Sequence, residues 1–134
     1  MEKLNRIIPF VLAVLFAVAS TFSKREGRVV PPSQDSWFNS AVLKNSRPVV
    51  VKFGAEWCGP CRSMDAALNS LESRYSSRAR FIRINVDEKP ELFAQYADGS
   101  GIPQIMIFRD GKIVSSDRGF GSKERLQSWL SSNL

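Results

Sequence analysis

Apolar and polar positions repeat along this chain with two different periods, and each change of period marks an element. Val49-Val50-Val51-Lys52-Phe53 is a β-branched run, the pattern of a strand buried on both faces. Downstream, Met64, Leu68, Leu71 and Tyr75 fall at i, i+4, i+7 and i+11, one stripe of a helix packed on a sheet. From Phe81 to Val86 the period returns to two, with Phe81, Arg83 and Asn85 opposed to Ile82, Ile84 and Val86. Pro90 opens a short helix through Tyr96, since the first helical turn tolerates proline. Ile105 to Phe108 is a third strand, Asp110-Gly111 suits the positive φ of a hairpin turn, and Ile113 to Ser116 returns. Upstream, Asp35 or Ser33 caps a helix to about Lys44, whose apolar face holds Trp37, Phe38, Ala41 and Val42. At the far end Ser122 caps a last helix with Leu126, Trp129 and Leu130 inward. Strands alternating with helices, then a hairpin and a final helix, predict an α/β fold: a central mixed β-sheet flanked by helices on both faces.

The first residues stand apart in composition. Lys3 and Arg6 precede an apolar stretch, Ile7 to Phe22, and Lys24-Arg25-Glu26-Gly27-Arg28 follows. A basic start, a short apolar core and Ala17-Val18-Ala19 match an export signal cleaved after Ala19. As a helix the stretch reaches about 24 Å, short of the roughly 30 Å hydrocarbon core, and Pro9 interrupts its start. The basic cluster behind it opposes translocation, so an uncleaved membrane anchor stays open, as does a merely buried segment. The expected organisation is residues 1–23 as signal peptide or membrane anchor, 24–33 as a linker with room for a short edge strand, and 34–134 as one folded domain. Export to the periplasm or another extracytoplasmic side, or membrane association through residues 7–22, is expected ahead of a cytoplasmic location. No cysteine stands beside a small-residue lipidation site, so a lipoprotein is not expected.

Charge adds little. The net charge of +6 is spread among acids, as in Lys112, Asp117, Arg118, Lys123, Glu124 and Arg125, which describes a solvated basic surface ahead of a dedicated anionic partner. No basic run carries interleaved aromatics, so nucleic acid is not an expected partner.

The cysteines change the picture. There are two, Cys58 and Cys61, in Trp57-Cys58-Gly59-Pro60-Cys61 between the first strand and the amphipathic helix. A cysteine at a helix N-terminus meets unpaired backbone N–H groups and the positive end of the helix dipole, which favour thiolate over thiol. A loop this small staples little, so the pair is better explained by chemistry than by architecture. Half a zinc site is the competing reading, but zinc wants four ligands and the chain has no histidine and no third cysteine. No metal or cofactor is expected.

At this point the chain resembles the thioredoxin family. Phe53-Gly54-Ala55-Glu56-Trp57-Cys58-Gly59-Pro60-Cys61 is similar to the family's active-site segment, and Ile102-Pro103 before a strand to its cis-proline loop. Phe108-Arg109-Asp110-Gly111-Lys112, with Gly119 beyond, is similar to the closing hairpin and the glycine after it. The resemblance covers about Ser36 to Leu134 and implies the thioredoxin fold and a protein-disulfide oxidoreductase. It implies that Cys58 is the exposed nucleophile and Cys61 the resolving cysteine, the two alternating between dithiol and disulfide. Gly59 and Pro60 would set the turn between them, and Trp57 would flank the thiol. The backbone of Ile102, beside a cis Pro103, would pair with an extended substrate segment. Expected partners are proteins bearing disulfides and an upstream thiol electron donor, with the chain acting as a monomer and reducing its substrates. The alternatives are a redox-idle interaction or holdase module and a periplasmic thiol reductase dedicated to one pathway.

The pattern is broken in places. Lys52 stands where the family usually carries a buried acid, and Arg83 lies on the neighbouring strand, so Glu56, Asp65 or Asp87 must compensate unless both cations reach the surface. Gly54 replaces an aromatic wall of the site. Ala66 replaces a kinking proline, which predicts a straighter helix, and Ala97 to Gly101 holds one apparent extra residue. Positive charge near the dithiol is expected to favour the thiolate and a more oxidising potential.

Overall fold

The computed structural model describes residues 26–134, so the leader expected at 1–23 and the start of the linker lie outside the described residues. Among the described residues five strands form one sheet: β1 (Arg28–Val29), β2 (Val49–Gly54), β3 (Arg80–Asn85), β4 (Gln104–Arg109) and β5 (Lys112–Arg118), in the order β1-β5-β4-β2-β3. β2 runs parallel to β3 and antiparallel to β4, and β5 is antiparallel to both β4 and β1. The sheet is therefore mixed, as expected. Arg28 and Val29, inside the segment read as a linker, supply the edge strand against Ile113 and Lys112.

Helix α1 (Ser36–Phe38) passes into a π-helical turn (Asn39–Leu43), and α2 (Gly59–Tyr75), α3 (Pro90–Tyr96) and α4 (Lys123–Asn133) follow. Asp35 caps α1, its carboxylate accepting from the Phe38 N–H at 2.9 Å, while Ser122 caps α4 through the Arg125 N–H at 3.3 Å. The β4–β5 turn puts Asp110 at φ 52° and Gly111 at φ 70°, the pair of left-handed residues that a tight two-residue hairpin needs.

The period of two along β2 divides the core. Val49, Val51 and Phe53 join Phe38 and Val42 of the first helical segment, Leu92 and Tyr96 of α3, and Phe108 on one face. Val50 joins Met64, Leu68, Leu71 and Tyr75 of α2 with Leu126 and Leu130 of α4 on the other. The expected α2 stripe is thus the buried one, and α2 runs 17 residues unbroken past Ala66. One residue of the expected α1 face is corrected. Trp37 is 48% exposed and holds Lys89 over its ring instead of entering the core. The apolar face needs only Phe38 and Val42, and the indole covers the ion pair between Lys89 and Asp35.

Candidate active site

β2 ends and α2 begins within five residues, which brings the two cysteines to the edge of the sheet. Cys58 is the N-cap of α2, and its Sγ accepts the Cys61 N–H at 3.2 Å, so the sulfur itself satisfies one of the helix's orphan donors. Cys58 and Cys61 are joined as a disulfide with Cα atoms 5.2 Å apart. Cys61 is fully buried and Cys58 is 6% exposed, so the side chain expected to be exposed offers only an edge to solvent. Gly59 and Pro60 are the first two residues of α2.

Three features meet this disulfide. The Ile102–Pro103 bond is cis, Pro103 is buried, and Ile102 packs with Ala55, Cys58 and Cys61. Pro60 and Pro103 line one groove of about 710 Å³ that continues between α2 and α4 past Met64, Phe120 and Leu126. Trp57 stands 69% exposed beside the cysteines, its Nε1 donating to Asp87 Oδ2 at 2.8 Å. Trp57 is therefore a surface wall and not core.

Behind the disulfide the structure resolves the question of the two cations. Lys52 is 4% exposed and donates from Nζ to Asp65 Oδ2 at 2.7 Å. Arg83, paired with Lys52 across the parallel strands, brings Nε to 3.5 Å from Asp65 Oδ1. That contact is ionic only, since Oδ1 is buried without a hydrogen bond. Arg83 spends its hydrogen bonds on Asn69 Oδ1 at 2.6 Å and Glu72 Oε2 at 3.1 Å. Asp65, Asn69 and Glu72 lie at i, i+4 and i+7, a polar stripe of α2 beside its apolar one. Of the three acids considered, Asp65 is the one that compensates Lys52. Asp87 is engaged by Trp57, and Glu56 offers its backbone carbonyl to Arg62 at 2.7 Å.

The loop before Pro103 is held by a residue that periodicity passes over. Gln104, 3% exposed, donates from Nε2 to Asp98 Oδ1 at 2.7 Å and to the Gly101 carbonyl at 2.8 Å, while its Oε1 accepts the Asp98 N–H at 3.3 Å. Gly99 and Gly101 take φ of 75° and 93° to make that loop. The hydrogen bonds from the Ser100 hydroxyl and N–H, with those of Gln104 and the nearby Arg118 charge, hold the Asp98 carboxyl below its ordinary value of 3.8. The signal available beforehand was an amide opening the otherwise apolar strand Gln104-Ile105-Met106-Ile107-Phe108.

A disulfide across a helix N-terminus, with a cis-proline loop packed on it and a groove leading away, defines a centre for thiol–disulfide exchange. Comparison with known proteins agrees. The family model described as Thioredoxin matches residues 29–132. The thioredoxin of Acidithiobacillus ferridurans is 41% identical over 100 residues, covering 75% of this chain and 92% of that protein. Thioredoxin 1 of Synechococcus elongatus is 38% identical with the same coverage, and the thioredoxin of Rhodospirillum rubrum 37% over 75% of this chain and 95% of its own length. The chain belongs to the thioredoxin family, its sheet and helices form the thioredoxin fold, and it is a thiol–disulfide oxidoreductase acting on protein disulfides with a thiol electron donor.

Proposed function

We propose that this oxidoreductase works as a monomeric reductase of protein disulfides, exported or tethered to a membrane, with Cys58 attacking and Cys61 resolving. The observation that carries the division of labour is burial: Cys61 lies at 0% exposure inside the first turn of α2, while Cys58 sits at its cap beside Trp57. The Cys58 thiolate attacks one sulfur of a substrate disulfide, and the other substrate sulfur leaves as a thiolate and takes up a proton. Cys61, deprotonated, then attacks Cys58 Sγ, releases the second substrate thiol and leaves Cys58–Cys61 oxidised. Reduction by the upstream dithiol donor restores the starting state.

The cis-proline loop gives the extended substrate its place. Pro103 is buried next to the disulfide and Ile102 packs on it, so the loop backbone lies within reach of a strand-like segment passing over Cys58. A monomer is supported by the surface. Among the described residues the exposed large apolar side chains are Val29, Trp37 and Trp57. Isolated side chains of this kind do not make a dimer core. The location rests on residues 1–23 of the sequence, which lie outside the described residues. Among the described residues no helix is long and apolar enough to cross a membrane.

Insulin reduction with dithiothreitol as donor tests the activity: the full-length chain should precipitate insulin, and Cys58→Ser should fall to the uncatalysed background. Equal rates would remove the catalytic role of Cys58. Trapping tests the direction, because Cys61→Ser should accumulate mixed disulfides with client proteins in the reducing state. N-terminal sequencing of the protein made in its own host, with fractionation, reads the location.

A further inference from the structure

Gly54 is the last residue of β2, in the place of an expected aromatic wall, and the space it leaves is occupied. A Cβ built there lies 2.5 Å from Lys52 Nζ, 2.8 Å from Lys52 Cε and 3.1 Å from Cys61 Sγ. The lysine head and the resolving sulfur therefore converge over the same bare backbone. We propose that Lys52 is a positioning residue for Cys61: its ammonium, held over Gly54 by Asp65, stabilises the Cys61 thiolate during resolution.

The surroundings single out this cation. The adjoining cavity of about 350 Å³ is lined by Lys52, Glu56, Arg62, Asp65, Arg83 and Glu88, the charged groups that face the site from β2, β3, α2 and the loops between them. Arg83 hydrogen-bonds Asn69 and Glu72 and meets the far oxygen of Asp65 at 3.5 Å, and Arg62 is turned onto the Glu56 carbonyl. Lys52 has one carboxylate, Asp65, which engages it from the helix side and leaves the glycine side to the sulfur. In the resolving step the Cys61 proton leaves through this cavity to solvent, the Cys61 electron pair forms the bond to Cys58 Sγ, and the substrate sulfur departs with the electrons of the broken mixed disulfide. The carboxylate usual at this position could accept the Cys61 proton, whereas the lysine lowers the cost of the anion left behind. Cys58 is less affected, because the Cys61 N–H and the helix N-terminus already serve its sulfur.

This inference rests on the dithiol reading above but fails separately from it. In the full-length chain, Cys58→Ser leaves Cys61 alone and Cys61→Ser leaves Cys58 alone, and thiolate ultraviolet absorbance titrates each. Adding Lys52→Met should raise the Cys61 titration by roughly one pH unit, about tenfold less thiolate at a given pH, and move Cys58 less. In the wild-type protein the same change should slow decay of a preformed mixed disulfide on Cys58 by about threefold at a given pH, the loss of Cys61 thiolate being partly offset by its greater nucleophilicity. Gly54→Ala should displace the lysine head and shift both readings in the same direction by a smaller amount, and its effect should shrink once Lys52→Met is present, leaving what direct contact of the new methyl with Cys61 Sγ contributes. A folded Lys52→Met protein with an unmoved Cys61 titration would overturn the proposal. So would an equal shift at both cysteines, or a Gly54→Ala effect of the same size without the lysine. Should the methionine variant fail to fold, an unmoved titration in Gly54→Ala overturns the proposal by itself. Failure of the dithiol reading shows elsewhere, as insulin reduction that survives Cys58→Ser.

Discussion

The two faces of the sheet are built from the same strands and end differently at the dithiol. Under α1 and α3 the core is aromatic and closed, with Phe38 stacked on Tyr96 at 4.9 Å between ring centroids and Phe108 edge-on to both at 5.7 Å. Under α2 and α4 it is aliphatic through Val50, Leu68, Ile105 and Ile107, and then Lys52 opens it into a charged cavity lined by Gly54, the glycine over which Cys61 Sγ lies. One residue step along β2, from Val51 to Lys52, moves from one regime to the other. The lesson is a division of labour between faces: one supplies stability and reaches the cysteines at its margin, through Val86, and the other gives up apolar contact to set a charge behind the resolving sulfur.

That contrast can be broken, beginning with its largest expected effect. Phe38→Ala empties the aromatic cluster, and urea unfolding should show a loss of about 3–5 kcal/mol. The fraction that remains folded should keep the wild-type redox potential. A shifted potential would mean that the faces are coupled. Next is Asp65→Ala, which strands the buried Lys52 ammonium and should cost about 1–3 kcal/mol. Lys52→Met combined with Asp65→Ala should be less destabilised than Asp65→Ala alone, because an apolar side chain suits the vacated site better than an unpaired charge. A double variant worse than both singles would refute the ion-pair account.

The third prediction concerns the loop in front of the disulfide. Gln104→Leu should cost about 1 kcal/mol by releasing the Asp98 and Gly101 contacts. It should also raise KM for a disulfide peptide while kcat holds, and faster amide exchange at Asp98 and Ser100 checks the same loosening. The smallest effect is one of pH. Because the Asp98 carboxyl in the folded protein is held below 3.8, its contribution is complete above that pH and is lost as pH falls through the folded value. NMR titration should place the Asp98 carboxyl midpoint below the ordinary value, and Asp98→Asn should abolish this acid-side loosening of the loop.

Element types were readable because they depend on near neighbours. The α2 stripe of Met64, Leu68, Leu71 and Tyr75 needs only its own spacing to be known as the buried face. The Asp110-Gly111 turn likewise carries its geometry in its own residue types. Trp37 is not legible in this way, because helical spacing cannot tell a core aromatic from one lying over an ion pair between residues 54 apart, Asp35 and Lys89. Gln104 is opaque in the sequence for a related reason: a lone amide in a strand gains meaning only when the folded loop turns back to meet it.

The site divides in the same way. Spacing and residue type alone placed Cys58 and Cys61 at a helix N-terminus, because a three-residue separation at the end of a buried strand leaves them little freedom. Lys52 could be recognised as anomalous from its position in an apolar run. Whether that lysine is tolerated, which acid answers it and what it faces were matters for packing. Asp65 comes down onto it from α2, Gly54 leaves room for its head, and Cys61 Sγ lies against that same space. A buried charge is governed by the groups within a few ångströms of it, and those groups are assembled only when helix, strand and loop come together.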